Sequence, residues 1–122
     1  MRNAVDPTPT PGVPYSRAVH GTPVLQVSGQ LGLDPATGAL VAGSAADQLR
    51  QALANLDRVL ADAGKTEADV LKVGLYLTDM ADFAAVNEVY AEHFSTPYPA
   101  RTAICVVALP RGAVVEVDAV VG

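Results

Sequence analysis

The spacing of apolar side chains predicts a long helix near the middle of the chain. From Ser44 to Ala63, leucine, valine and alanine recur every three to four residues, which places them on one helical face. Ser44 with Asp47 three residues later is a variant of the capping box that begins many helices, and Gly64 is a typical stop. The opposite, solvated face is expected to carry three charged residues, Arg50, Asp57 and Arg58.

A second helix and several strands follow from the same kind of pattern. Apolar residues at helical spacing predict a helix over Asp82–Phe94, and alternation predicts a strand over Val70–Thr78. Shorter apolar segments predict strands at Val24–Ser28 and Ala113–Val121. Ala103–Leu109 is almost wholly apolar, so we expect that strand to be covered on both faces. The order of elements predicts one sheet packed against one helical layer.

The connection between the last two predicted strands is the short segment Pro110–Gly112, which predicts a hairpin. Folding back at Arg111 would place Glu116 opposite Val106 and far from Arg101. Two helices cover only one face of such a sheet. Apolar residues on the other face therefore need a partner, and self-association is the simplest source.

Composition limits the broad class of the protein. The chain has 122 residues, half of them hydrophobic, which fits one domain over 15–122 preceded by an extended Pro-rich leader over 1–14. No apolar run approaches the ~20 residues of a membrane span, and the leader lacks the apolar region of a signal peptide. We expect no membrane partner.

Charge, cysteine and histidine content further restrict the partners, the location and the metal sites that the sequence predicts. The net charge of −5 disfavours nucleic acid, because such binding depends on Lys and Arg neutralising phosphates. A single cysteine, Cys105, excludes an internal disulfide and favours the reducing cytoplasm. The two histidines, His20 and His93, have no Cys or His neighbours at ligand spacing, so no metal site is expected.

Two charged residues are the main candidates for chemistry. Arg101 precedes the most apolar strand, where its planar guanidinium would bind a carboxylate through two parallel hydrogen bonds. A surface arginine or an interface ion pair is the alternative. Glu116 and Asp118 share one face of the last strand. They form either the solvated face of that strand or a carboxylate site that holds or activates a water.

Weaker candidates lie near the start of the domain and in the apolar strand. The Tyr15 phenol would either bind a ligand or pack the leader onto the domain. Gly29, after Ser28, would allow close backbone approach of a ligand, or simply end a strand. Cys105 has only apolar neighbours and no nearby histidine. We therefore expect a small buried side chain rather than a nucleophile.

Several separated motifs also carry a family pattern. They are Tyr15–Val19, Val27–Gln30, Asp34–Gly38, Asp82–Asn87 with Tyr90, Pro99–Thr102, and Ala108–Pro110 continuing through Val115–Ala119. In this order they resemble the Rid family of reactive intermediate (imine) deaminases, formerly called YjgF. The resemblance extends over nearly the whole chain.

The resemblance implies a particular fold and assembly. It implies an α+β fold like that of chorismate mutase, with a mixed sheet and two helices on one face. It also implies a homotrimer with ligand clefts between subunits. The last strand would then lie antiparallel between earlier strands instead of forming a hairpin, and we prefer this topology.

The resemblance further implies an activity and its residues. Members hydrolyse reactive enamine and imine acids such as 2-iminopropanoate to 2-oxo acids and ammonia, without a metal or organic cofactor. The arginine that binds the substrate carboxylate corresponds to Arg101, and the glutamate that positions water corresponds to Glu116. The ligand-contacting positions correspond to Tyr15, Ser28 and Gly29, and a recurrent helix position corresponds to Asn87.

The chain departs from the family pattern at two places. Familiar members carry a cysteine two residues after the arginine, where this chain has Ala103, and Cys105 is not its equivalent. The change alters the shape of the pocket, in which a backbone group near Ala103 is expected to contact the substrate nitrogen or the attacking water. The segment Gly12–Tyr15 also has one more residue than the usual Gly-Pro-Tyr.

Other functions stay open at this point. The same trimer would serve as a sensor or binding protein for 2-oxo acids without turnover. It would also serve as a deaminase dedicated to one catabolic pathway. Ribonuclease activity, sometimes ascribed to the family, is disfavoured by the acidic pI of about 4.7.

Overall fold

A computed structural model describes residues 3–5, 15–21 and 24–122 of the chain. Its strands and helices are, in chain order, β1 (Asn3–Ala4), β2 (Ala18–Gly21), β3 (Val24–Leu31), α1 (Ala45–Asp62), β4 (Val70–Leu77), α2 (Phe83–His93), β5 (Ala100–Cys105) and β6 (Val115–Val121). The two helices predicted from periodicity are therefore confirmed, as is an α+β architecture with a single mixed sheet.

The last strand, β6, lies inside the sheet. The strand order is β1-β2-β3-β6-β4-β5, with β6 antiparallel to both β3 and β4 and with β5 parallel to β4. Glu116 consequently lies opposite Leu31 and Tyr76 instead of Val106. The predicted hairpin is wrong, and the topology implied by the family resemblance is confirmed.

The core lies between the helices and one face of the sheet. Alternate residues of β6 and β4 point into it, and the stripe of apolar residues on α1 closes it from above. Its largest fully buried side chains are Leu25, Leu49, Leu53, Leu56, Leu60, Leu75 and Leu77, together with five valines.

The sequence signals at the ends of α1 are confirmed. The Ser44 side chain accepts a hydrogen bond from the Asp47 amide, and the Asp47 carboxylate accepts one from the Ser44 amide at 2.9 Å. Gly64 has a φ of 71°, which favours glycine and ends the helix. Three residues predicted to face solvent are exposed, namely Arg50, Asp57 and Arg58.

The apolar run after Arg101 behaves differently from the prediction. β5 ends at Cys105 and forms the edge of the sheet, so Ala103–Leu109 is not a strand covered on both faces. Ile104 and Val107 are exposed, and Cys105 is exposed as well, which makes its predicted burial wrong. Nothing among the described residues covers the outer side of this edge. The chain therefore leaves apolar surface available to a partner.

Two further features bear on the earlier expectations. Asn3–Ala4 of the leader pairs with β2, whereas the prolines at 7, 9, 11 and 14 lie outside the described residues. No helix within the described ranges is long and apolar enough to cross a membrane.

The partly buried amide of Asn55 joins α1 to the end of β3 and to the residues that follow it. Asn55 Nδ2 donates to the Leu31 carbonyl at 3.0 Å and to the Leu33 carbonyl at 2.9 Å, and its Oδ1 accepts from Gln51. Asn55→Ala leaves both carbonyls without this donor, so we expect the free energy of unfolding to fall by about 1–3 kcal/mol. Arg58→Ala on the exposed face is the control, with a change within about 0.5 kcal/mol. Urea denaturation measures both, and equal midpoints would contradict the role of Asn55.

Candidate active site

Arg101 lies on the helix-covered face of the edge strand. Its register partner on β4 is Val73, which is fully buried beneath the helices. The guanidinium carbon of Arg101 lies 4.7 Å from the ring centroid of Tyr90 and 5.5 Å from that of Phe83, both on α2. Among the described residues no carboxylate lies within ion-pair distance of Arg101. Its charge is thus available to a ligand.

Two other predicted ligand-binding residues lie on the same side of the sheet. Ala103 follows Arg101 by two residues and pairs with the buried Leu75. Asn87 lies on α2 one turn after Phe83, and its Oδ1 is buried without a hydrogen-bond partner among the described residues. We refer to Arg101, Asn87 and Ala103 as the arginine half-site.

Glu116 lies on the opposite, open face of the sheet. Its neighbours in β6, Val115 and Val117, point into the core, and Glu116 therefore projects away from the helices. Its carboxylate lies directly over Gly29 of β3, where any Cβ would overlap Glu116 Oε1. Within the chain, the group that lies close to Gly29 is the Glu116 side chain, and the close approach of a ligand there stays a prediction.

Tyr15 and Ser28 are connected to the same region. The Ser28 hydroxyl donates to the Ser16 carbonyl, and the Ser28 amide donates to the Arg17 carbonyl at 2.9 Å. These bonds attach the segment that begins at Tyr15 to β3, beside Gly29, and the Tyr15 side chain is exposed. We refer to Tyr15, Ser28, Gly29 and Glu116 as the glutamate half-site.

Asp118 sets the electrostatic surroundings of Glu116. It lies two residues further along β6 on the same face, and accepts hydrogen bonds from the Tyr76 hydroxyl at 2.9 Å and the Gly74 amide at 3.0 Å. Burial, together with the Asp118 charge, raises the pKa of Glu116. The hydrogen bond to Asp118 raises the pKa of Tyr76 as well. Glu116 keeps its proton to a higher pH than an exposed glutamate would, which suits a group that both accepts and donates protons.

The surface beside Asp118 is concave. A cavity of about 310 Å³ lies on the open face, lined by Lys72, Gly74, Tyr76, Thr102, Asp118 and Val120. None of the predicted site residues lines it. Among the described residues, no cluster of three or more His, Cys, Asp or Glu side chains is arranged to hold a metal ion.

The two half-sites do not meet within one chain. The arginine half-site lies on the helix face at the β5 edge, whereas Glu116 lies on the other face, in a strand separated from β5 by β4. A side chain cannot pass through the sheet to reach the far face. One ligand would contact both Arg101 and Glu116 only if two copies of the chain contributed to its site.

Sequence reasoning missed the residues that surround the two charged groups. Phe83 and Tyr90 were predicted only as parts of an apolar helix face, although their spacing of seven residues places both on the side that faces Arg101. Tyr76 was predicted only by alternation in its strand. Its contact with Asp118 follows from the position of β6 next to β4, which no local pattern indicates.

The fold and its half-sites define a class: a small α+β protein with a partly buried arginine and a partly buried glutamate on opposite faces of one sheet. No described residue forms an ion pair with this arginine. A family model described as Endoribonuclease L-PSP matches residues 6–122. The chain therefore belongs to this family, the Rid (YjgF) family that the sequence motifs resemble.

Individual relatives agree with this assignment. The 2-iminobutanoate/2-iminopropanoate deaminase of Homo sapiens is 40% identical over 122 residues, covering 98% of this chain and 89% of that protein. A RutC family protein of Pyrococcus horikoshii is 46% identical over 112 residues, covering 92% of this chain and 89% of that protein. A crystal structure of a Rid family protein from Yersinia pestis matches with a TM-score of 0.93 at 35% identity, covering 100% of this chain and 99% of that chain. The crystal structure of RidA from an Antarctic Psychrobacter matches with a TM-score of 0.87 at 42% identity, covering 93% of this chain and 91% of that chain.

The pKa of Glu116 provides a direct test of this electrostatic arrangement. Asp118→Asn removes a neighbouring negative charge, so the pKa of Glu116 should fall toward its ordinary value. The measurement is an NMR pH titration of the side-chain carboxyl carbon. Glu92→Gln, at an exposed position on α2, is the control and should leave the titration of Glu116 unchanged. An unchanged or higher pKa in Asp118→Asn would contradict the coupling.

Proposed function

We propose that the protein hydrolyses reactive enamine and imine acids to 2-oxo acids and ammonia, with 2-iminopropanoate-like acids as substrates. The observation that carries the proposal is the Arg101 guanidinium, which is partly buried without a carboxylate partner among the described residues. Such a group is suited to a small planar carboxylate. The deaminase names of the human and mouse relatives support the reaction class.

The separation of the half-sites supports an oligomer in which clefts form between subunits. One subunit would supply Arg101, Asn87 and Ala103, and its neighbour would supply Tyr15, Ser28, Gly29 and Glu116. The exposed apolar residues Ile104 and Val107 give the β5 edge a surface suited to such an interface. Three subunits are proposed on the strength of the family resemblance.

The reaction requires two proton transfers and one positioned water. Arg101 would hold the substrate carboxylate through two parallel hydrogen bonds. Ionised Glu116 would accept a proton from the water as its oxygen attacks the C=N carbon, and would then return that proton to the nitrogen. The hydroxyl proton of the resulting carbinolamine would then pass through Glu116 to the same nitrogen. The C–N bond breaks as the carbonyl of the 2-oxo acid forms, and the nitrogen leaves as ammonia.

The remaining residues of the cleft would orient these groups. Tyr15, or a backbone group near Ala103, would contact the substrate nitrogen or the attacking water. Asn87 has a buried amide oxygen without a partner among the described residues, which is available to an N–H donor on the substrate. Because these imines also hydrolyse unaided in water, general acid–base help worth about 10²–10⁴-fold is sufficient.

Binding without turnover is the second candidate, supported by the same unpaired arginine. It predicts Arg101-dependent binding of 2-oxo acids with no acceleration of imine loss. Endoribonuclease activity, which the name of the family model suggests, fits poorly with a net charge of −5. The proposal includes a cytoplasmic location, supported by the single cysteine.

The test is the decay of 2-iminopropanoate generated in the assay. Wild type should accelerate the decay, and Arg101→Ala should lower kcat/KM by about 10²-fold or more through the loss of charge-assisted hydrogen bonds. Glu116→Gln should lower kcat by about 10²–10⁴-fold. Arg50→Ala, at an exposed arginine on α1, is the matched control and should behave as wild type. Decay with wild type that matches the buffer rate would contradict the proposal for this substrate.

Gly29→Ala moves the Glu116 carboxylate without removing it, and so tests whether its position matters. The new methyl group would displace only the end of the flexible Glu116 side chain, so kcat should fall while the midpoint of thermal unfolding changes little. Gly21→Ala is the matched control, because a Cβ at Gly21 meets no atom within 4 Å. Wild-type kcat in Gly29→Ala would show that the location of the carboxylate over β3 does not matter.

A further inference from the structure

The Arg101 charge needs a source of stabilisation, and the residues that the structure describes do not stabilise it by an ion pair. Removing a cation from water without a compensating partner is costly. No carboxylate and no hydrogen-bond acceptor among the described residues contacts the guanidinium. The groups that do lie against it are the aromatic rings of Phe83 and Tyr90.

These rings are themselves firmly placed. Phe83 and Tyr90 are seven residues apart on α2, so they lie two turns apart along one side of the helix. Tyr90 is only 6% exposed, and its ring packs against Phe94 with centroids 4.7 Å apart at an angle of 42°. Phe94 is buried in the core. Arg101 is therefore connected to the core through the rings of Tyr90 and Phe94.

Unlike a carboxylate, an aromatic ring beside a guanidinium leaves its N–H donors available to a ligand. The negative face of a ring attracts a cation but offers no atom that takes up the N–H donors. A carboxylate partner would occupy the same edge of the guanidinium that binds a ligand carboxylate, and would compete with it. Burial raises the pKa of Tyr90 to about 12, so this ring remains neutral and adds no competing anion.

We propose that Phe83 and Tyr90 are positioning residues that hold the Arg101 guanidinium by cation–π attraction and leave its N–H donors available to a carboxylate ligand. The proposal rests on the carboxylate-binding role assigned to Arg101 in the proposed function. The aromatic character of the two side chains is what matters, more than their size. The Tyr90 hydroxyl, which is buried without a partner among the described residues, is not required.

The first experiment measures binding of pyruvate by calorimetry and the KM and kcat for 2-iminopropanoate. Phe83→Leu and Tyr90→Leu retain an apolar side chain but lose the ring, and each should raise the Kd and KM about 3–30-fold. The value of kcat should change little, because the proton transfers are assigned to Glu116 and not to the guanidinium that the rings hold. Tyr90→Phe retains the ring and should keep the wild-type Kd and KM.

A second experiment separates ring electrostatics from packing. Replacing Phe83 by 4-fluoro-, 3,5-difluoro- and 3,4,5-trifluorophenylalanine weakens the negative ring face stepwise at nearly constant shape. The affinity for pyruvate should decrease in the same order. In an Arg101→Ala background the fluorinated series and Tyr90→Leu should have no further effect, since the cation is absent.

The outcomes distinguish this proposal from the proposed function. If Arg101→Ala leaves pyruvate binding unchanged, the carboxylate role of Arg101 is wrong and the positioning role is wrong with it. If Arg101→Ala abolishes binding while the leucine variants and the fluorinated series bind as wild type, only the positioning role is overturned. A loss of affinity in Tyr90→Phe equal to that in Tyr90→Leu would also overturn it, because the hydroxyl would then be the required group.

Discussion

The alternation of side chains along β-strands is the constraint on which the rest of this site depends. Successive residues of a strand point to opposite faces, and the positions of Val73 and Val117 in the core decide which face each functional residue takes. Arg101 shares the core side of the sheet with α2, and Glu116 takes the open side. No rotamer change brings them together, so contact of one ligand with both side chains would need two copies of the chain.

The charged residues of the two half-sites have different electrostatic surroundings. On the helix side, aromatic rings stabilise a cation without using its hydrogen-bond donors. On the open side, partial burial and the charge of Asp118 favour the protonated form of Glu116. Because residue 29 is a glycine without a Cβ, the Glu116 carboxylate can lie directly over β3. These surroundings match what the proposed function asks of each half-site, which is carboxylate binding by Arg101 and proton transfer by Glu116.

Much of the fold could be predicted from local patterns. The capping box at Ser44, the stop at Gly64 and the apolar stripe of α1 all act within a few residues, and all were confirmed. The position of β6 could not be predicted locally, because strand order depends on contacts between residues far apart in sequence. The apolar run after Arg101 indicated burial, but it lies at a sheet edge whose outer side no described residue covers. The family motifs indicated the position of the last strand within the sheet, which the spacing of apolar residues did not.

Co-assembly of two inactive variants shows whether one ligand is bound by residues of two subunits. Arg101→Ala and Glu116→Gln would be co-expressed in equal amounts with different tags, and the mixed trimers assayed for loss of 2-iminopropanoate. If each cleft takes its arginine from one subunit and its glutamate from the next, about a quarter of the clefts in randomly mixed trimers contain both wild-type residues. Recovery of about that share of wild-type activity is expected, although each variant alone is nearly inactive. Mixed trimers as inactive as the separate variants would contradict binding by residues of two subunits.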